Sequence, residues 1–177
     1  MADVKLVKSI YTGGDVTSLG ELAAADTVVI PCKVTNSAQP AFLAQAVEQA
    51  NVTGDSTVYI PTFVTEIFDQ GSNFVAATGI FTAPVTGRYQ LSVIITFTGL
   101  AAGNTEGYVQ LVMSNRSITL NDLNVGAIQI GGSCILNGSI LVGMDTGDTA
   151  KVNVYVAGGA KIVTVHSASF FSGYLVC

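Results

Sequence analysis

The chain has 177 residues, a length suited to one domain with a real core and a short appendage. Only 11 % of them are charged, against roughly 25 % in ordinary soluble domains. The net charge of -5 comes from scattered acids, with Lys and Arg nowhere clustered, which argues against nucleic-acid binding through phosphates.

The opening, Met1 to Lys5, lacks the apolar segment of a secretory signal. The apolar runs along the whole chain are strand-length and broken by polar residues, so no membrane insertion is expected. Residues 1–37 hold a polar turn, a few apolar side chains and Pro31, too little for a core, and read as an N-terminal arm. The domain proper is expected over residues 38–177. Its first stretch, Pro40 to Ala50, is rich in helix formers but short, which leaves helix and strand both open.

Period two dominates the remainder of the chain. In Tyr89–Phe97 the odd positions Tyr89, Leu91, Val93, Ile95 and Phe97 are apolar, and the even ones are polar except Ile94. Pro84 is expected to end the preceding strand, with Gly87 allowing the turn into this one. Val109, Leu111 and Met113 share a face in Tyr108–Ser114, and Val152, Val154 and Val156 oppose Lys151, Asn153 and Tyr155. Glycine-rich turns separate these half-buried strands at 71–73, 101–104, 131–132, 145–148 and 158–159. The fold class is therefore all-β, an antiparallel sandwich.

The C-terminal run Phe170–Cys177 breaks the alternation. Phe170, Tyr174 and Val176 share one face while Phe171, Leu175 and Cys177 share the other, so both faces need cover. In a two-layer sandwich the second cover comes from another copy of the chain. Phe170, Phe171, Tyr174 and Leu175 are accordingly the expected contact residues of a homo-oligomer.

Chemistry-bearing residues are sparse. His166 is the single histidine and no nucleophile elbow accompanies any serine, so no catalytic residue is expected. Glu66 and Asp69 could be read as the paired acids of a glycoside hydrolase, but a strand end in solvent is the expected role. Asp145-Thr-Gly-Asp148 offers two carboxylates to a hard cation such as calcium, yet turn chemistry is the expected reading and no cofactor is assigned. Cys32, Cys134 and Cys177 are widely spaced among apolar neighbours and fit neither a disulfide framework nor a metal site. They read as small core or interface residues. Asn51, Asn115 and Asn137 open glycosylation triplets that matter only in a secreted eukaryotic protein. Tyr108 and Tyr155, with the loop Leu100–Asn104, could line a shallow binding surface for carbohydrate or protein.

Phe81-Thr-Ala-Pro-Val-Thr-Gly-Arg-Tyr89 resembles the FxxPxxGxY signature of the C1q-like globular domain, a tumour-necrosis-factor-like jelly roll. Other landmarks follow in the family's order: Pro40–Phe42, Phe74 ahead of Gly79–Phe81, Gly131–Ser133, Gly147-Asp148, and Ser169–Leu175, which is similar to the family's S-x-F-S-G-F/Y-L ending. The resemblance implies a ten-stranded jelly roll over residues 38–177, assembled as a homotrimer with its last strand near the three-fold contact. No collagen-like stalk precedes it in this chain. Gly13–Pro31 instead resembles segments of bacteriophage tail-fibre and virion-appendage proteins. The sequence is therefore read as a non-enzymatic virion protein, a trimeric spike, fibre tip or decoration of capsid or tail. Its arm would meet other virion proteins, and its head, at the virion surface, would face a glycan or protein of the host. The alternative is a secreted or cell-surface recognition module that binds proteins or glycans.

Overall fold

The computed structural model describes residues 7–12, 15–21 and 39–176. The chain divides into two compact units, Met1–Asn36 and Ser37–Cys177. In the first, β1 (Val7–Thr12) and β2 (Asp15–Glu21) pair antiparallel with an irregularity between Ile10 and Tyr11. The rest of the expected arm, Cys32 included, lies outside the described residues.

The second unit contains β3 (Ala41–Gln45), β4 (Gln49–Thr53), β5 (Thr65–Gln70), β6 (Phe74–Val75), β7 (Ile80–Thr82), β8 (Gly87–Thr98), β9 (Glu106–Met113) and β10 (Ser117–Leu123). After a single helical turn α1 (Val125–Ile128) come β11 (Cys134–Met144), β12 (Thr149–Ala157), β13 (Val163–Val165) and β14 (Phe170–Leu175). One sheet runs β10-β9-β12-β7-β6, and the other runs β4-β13-β8-β14-β3-β5 with β11 on the free side of β8. Every pairing between these strands is antiparallel. The sandwich is thus the expected one. Twelve strands are described in this unit instead of ten, because short pieces such as β6 and β13 stand as separate strands. Among the described residues no helix is long and apolar enough to cross a membrane.

Where pattern alone leaves Pro40–Ala50 open between helix and strand, pairing decides. β3 lies between β14 and β5, and its alternation sends Phe42 and Ala44 inward. Helix propensity is a weak preference, and two flanking ladders outweigh it. β8 behaves as its period predicts: Tyr89, Leu91, Val93, Ile95 and Phe97 are all buried. Gly87 is not a turn residue ahead of β8 but its first member, paired with Met144.

The loop between β7 and β8 carries the chain from one sheet to the other and is tied at both ends. Tyr89 donates its hydroxyl to the Val85 carbonyl at 2.7 Å, while Ala83 N–H and Ala83 O bond to Asp148 O and Gly147 N–H in the β11–β12 turn. A buried tyrosine hydroxyl needs such a partner, and here the partner is the loop itself.

The core is richest in aromatics near β14. Phe42 stacks on Phe74 and on Phe81, each at 4.8 Å between centroids, and meets Phe171 edge-on at 5.0 Å. Phe63 and Phe74 also reach Phe171, and Phe81 reaches Tyr89. Burying one such ring is worth about 1.5–3 kcal/mol, and a well-placed ring pair adds about 0.5–1.5 kcal/mol. Gly173 makes this packing fit. A Cβ there would stand 2.5 Å from Leu91 Cδ2 and 2.8 Å from Phe42 Cε1.

The outer edge of β11 is not left bare. Asn121 of β10 donates its side-chain amide to Asn137 O at 3.2 Å, and Arg116 donates Nη2 to Gly143 O.

The packing at Gly173 sets a stability test. Gly173→Ala is expected to overpack the Phe42–Leu91 contact and to cost about 1–3 kcal/mol, read as a lower urea midpoint at unchanged m-value.

Candidate functional site: an uncharged outer face

The inward residues of β14 and β8 close the sandwich, so their alternates form an outer face whose composition follows from register. Gln70, Ala41, Tyr174, Gln90 and Leu141 lie in one row across β5, β3, β14, β8 and β11. The next row is Phe68, Leu43, Ser172, Ser92 and Ser139, and the third is Gln45, Phe170, Ile94 and Asn137. Thr96 opposite Ile135 extends the face at one end, and Arg88 opposite Gly143 bounds it at the other.

No ionisable Asp, Glu, Lys or Arg stands in the three full rows. Phe68, Leu141 and Tyr174 are each 50 % exposed, Ile94 is 41 % and Ile135 is 62 %. Between Ser92, Ile94, Asn137 and Ser139 lies a shallow depression of about 230 Å³. Large apolar side chains on a flat, uncharged sheet are the composition of a surface that another protein covers.

Of the four expected contact residues, Phe170 and Tyr174 belong to this face. Phe171 does not: it is fully buried inside the sandwich against Phe42, Phe63 and Phe74. Leu175 is only partly buried and packs against the same core. The sequence groups both with Phe170 and Tyr174 because the strand is apolar on two faces, and one of those faces is the interior. Leu43, Phe68, Ile94, Ile135 and Leu141 escape the sequence reading. A signal for two of them is present in Cys134–Met144, where Ile135 and Leu141 alternate with the buried Leu136 and Val142.

The other candidates resolve into structural roles. His166 Nδ1 accepts the Ala168 N–H at 3.1 Å. Asp69 accepts the N–H groups of Asn73 and Phe74 and so closes the β5–β6 turn, while Glu66 is exposed. Cys134 is a buried free thiol, its pKa raised by desolvation; Cys177 lies outside the described residues. Among the described residues no three His, Cys, Asp or Glu side chains gather as a metal set. The Asp145–Asp148 turn is closed by its own bonds: Asp148 N–H donates to Asp145 O at 2.9 Å and Asp145 N–H to Asp148 Oδ2 at 3.0 Å. That Asp145 N–H, then the Ser114 hydroxyl and the nearby Arg116, hold the Asp148 carboxyl below its ordinary value of 3.8.

On the opposite sheet Tyr108 and Tyr155 are register partners and stack at 4.8 Å with their planes 10° apart. Burial, then Tyr155, Glu106 and Asp122, raise the Tyr108 phenol. The pair is a half-exposed aromatic platform flanked by acids. The loop residue Asn104 is structural. It donates to Ala157 O and accepts from Ala101 N–H.

An antiparallel sandwich of this strand order, with an uncharged outer face, defines a jelly-roll module of the tumour-necrosis-factor-like class. The globular domain of zebrafish complement 1qA protein is similar to it at 21 % identity and a TM-score of 0.55, over 78 % of this chain and 98 % of that one. Murine APRIL is similar at 15 % identity and a TM-score of 0.54, over 78 % and 99 %. No curated protein sequence matches. The C1q domain model matches residues 41–176, and the chain belongs to the C1q domain family. Domains of this family are non-enzymatic and typically serve as trimeric recognition modules.

The Asp148 carboxylate gives a pH test. Its folded pKa is depressed, so its bracing of the turn is present above pH 3.8 and is lost as pH falls through the lower folded value. The protection of the Asp145 amide relative to its intrinsic exchange rate at each pH is expected to hold above that window and to fall below it, and in Asp148→Ala to be low throughout.

Proposed function

We propose that this chain is a homotrimeric recognition module whose outer sheet face is the subunit contact. The observation that carries the reading is the uncharged face itself: three rows across β3, β14, β8 and β11, with Phe170, Tyr174, Ile94 and Leu141 projecting. Family membership supports the stoichiometry, since related domains are typically homotrimers. A closed ring of three buries one such face per copy without leaving a sticky remainder. Assembly leaves the five-stranded sheet, its Tyr108–Tyr155 platform and the end loops for a partner protein or glycan.

A virion appendage is a second reading, favoured by the separate unit at Met1–Asn36, whose segment Gly13–Pro31 resembles virion-appendage sequences. In it the N-terminal unit attaches the trimer to other virion proteins and the jelly roll faces a host surface. The first reading places the module in a secreted or cell-surface setting. Peptides of this chain in purified, infectious particles support the virion setting, and capsid or tail genes beside its own support it independently.

The trimer has a direct measurement. Light scattering after gel filtration is expected to give three times the 18.2 kDa chain mass at micromolar concentration. The double variant Leu141→Lys, Tyr174→Lys places like charges on facing copies and is expected to elute as a folded monomer with an unchanged β-type circular dichroism spectrum. A monomeric wild-type chain at that concentration overturns the reading.

A further inference from the structure

The whole sequence has seven Lys and Arg residues, and two of them line an open cavity of about 500 Å³ at the end of the outer face. Arg88 is the second residue of β8, and Arg116 sits in the turn between β9 and β10. Gly143 of β11 connects them. It is the cross-strand partner of Arg88, and its carbonyl oxygen receives Nη2 of Arg116. A Cβ built on Gly143 meets no atom within 4 Å, so the space beside Gly143 is open.

Two carboxylates also line the cavity, and they play different parts. Asp148 accepts from Ser114 Oγ at 2.8 Å, from Asp145 N–H at 3.0 Å and from Asn115 Nδ2 at 3.5 Å, so its oxygens are engaged in bracing the turn. Asp145 lines the same cavity from an exposed position. Thr86 adds a hydroxyl whose oxygen accepts the Thr146 N–H. The lining therefore combines the Arg116 guanidinium, whose Nη2 alone is held by Gly143 O, with the exposed Asp145 carboxylate on one concave surface.

We propose that this cavity binds the carboxylate of a hexuronic acid unit in an acidic glycan. Guanidinium forks match a planar carboxylate in geometry as well as charge. The neighbouring aspartates repel a second negative charge and the exposed Asp145 accepts hydroxyl groups, which selects a singly charged, polyhydroxylated ligand over phosphate. A cavity of this size is in the range that holds small ligands. The assignment rests on the recognition-module reading for its biological setting and names one ligand class for it.

The test uses the full-length, isotope-labelled protein titrated with sodium glucuronate, glucose, sodium acetate and inorganic phosphate. Glucuronate is expected to give saturable amide shifts at Gly87, Asn115, Gly143 and Asp145, with affinity at least about tenfold above the other three. Arg116→Gln is expected to weaken glucuronate by about tenfold or more. Gly143→Gln, whose side chain enters open space, is expected to abolish binding while the melting temperature and trimer mass stay as in the wild type. No saturable shift with glucuronate, equal or tighter binding of acetate or phosphate, or undiminished binding in both variants overturns the proposal. If the trimer mass is intact in those samples, the recognition-module reading survives that failure; a monomeric mass with glucuronate bound sinks the trimer and keeps the site.

Discussion

Phe42 and Phe171 meet edge to face where the two sheets close, and most of the structure depends on that contact. The rings of Phe74 and Phe81 come from the opposite sheet and stack on Phe42 from there. Gly173 supplies the room they need, because its missing side chain lets Leu91 and Phe42 approach. Once Phe171 is fixed inward, the two-residue period fixes Phe170, Ser172 and Tyr174 outward. The outer face is therefore a geometric consequence of the core, and a slip of one residue in β14 would exchange the two.

That coupling explains how the sandwich and its surface divide their composition. The interior takes the alternating apolar side chains of β8, β9 and β12, from Tyr89 to Phe97, Val109 to Met113 and Val152 to Val156, while the outer rows mix serine, amide, aliphatic and aromatic residues without charge. Arg88, Arg116, Asp145 and Asp148 share one cavity beside that face. The two surfaces meet along the row from Tyr174 to Leu141.

Local pattern carries most of the fold. The alternation in Tyr89–Phe97 assigns β8 and its core residues, and the Phe81–Tyr89 signature with the Ser169–Leu175 ending identifies the C1q-like domain. The outer face is only partly legible, because it is assembled by register between strands far apart in the chain. Leu43, Phe68, Ile94 and Leu141 become neighbours only once β3, β5, β8 and β11 are paired. Phe171 is counted with the contact residues in the sequence because period two separates faces but does not say which is interior. Arg88, in the sequence an ordinary polar-face residue of a family turn, gains its interest only when Gly143 and Arg116 are brought beside it.

The side chains that occupy the rim of β11 have a consequence for the kind of assembly open to this protein. Asn121 and Arg116 take the carbonyl groups of Asn137 and Gly143, which a strand from a neighbouring molecule would otherwise seek. Growth of a continuous sheet from molecule to molecule is hindered along that rim. The same two hydrogen bonds that tidy an edge therefore work against a fibril, whose growth needs that edge bare.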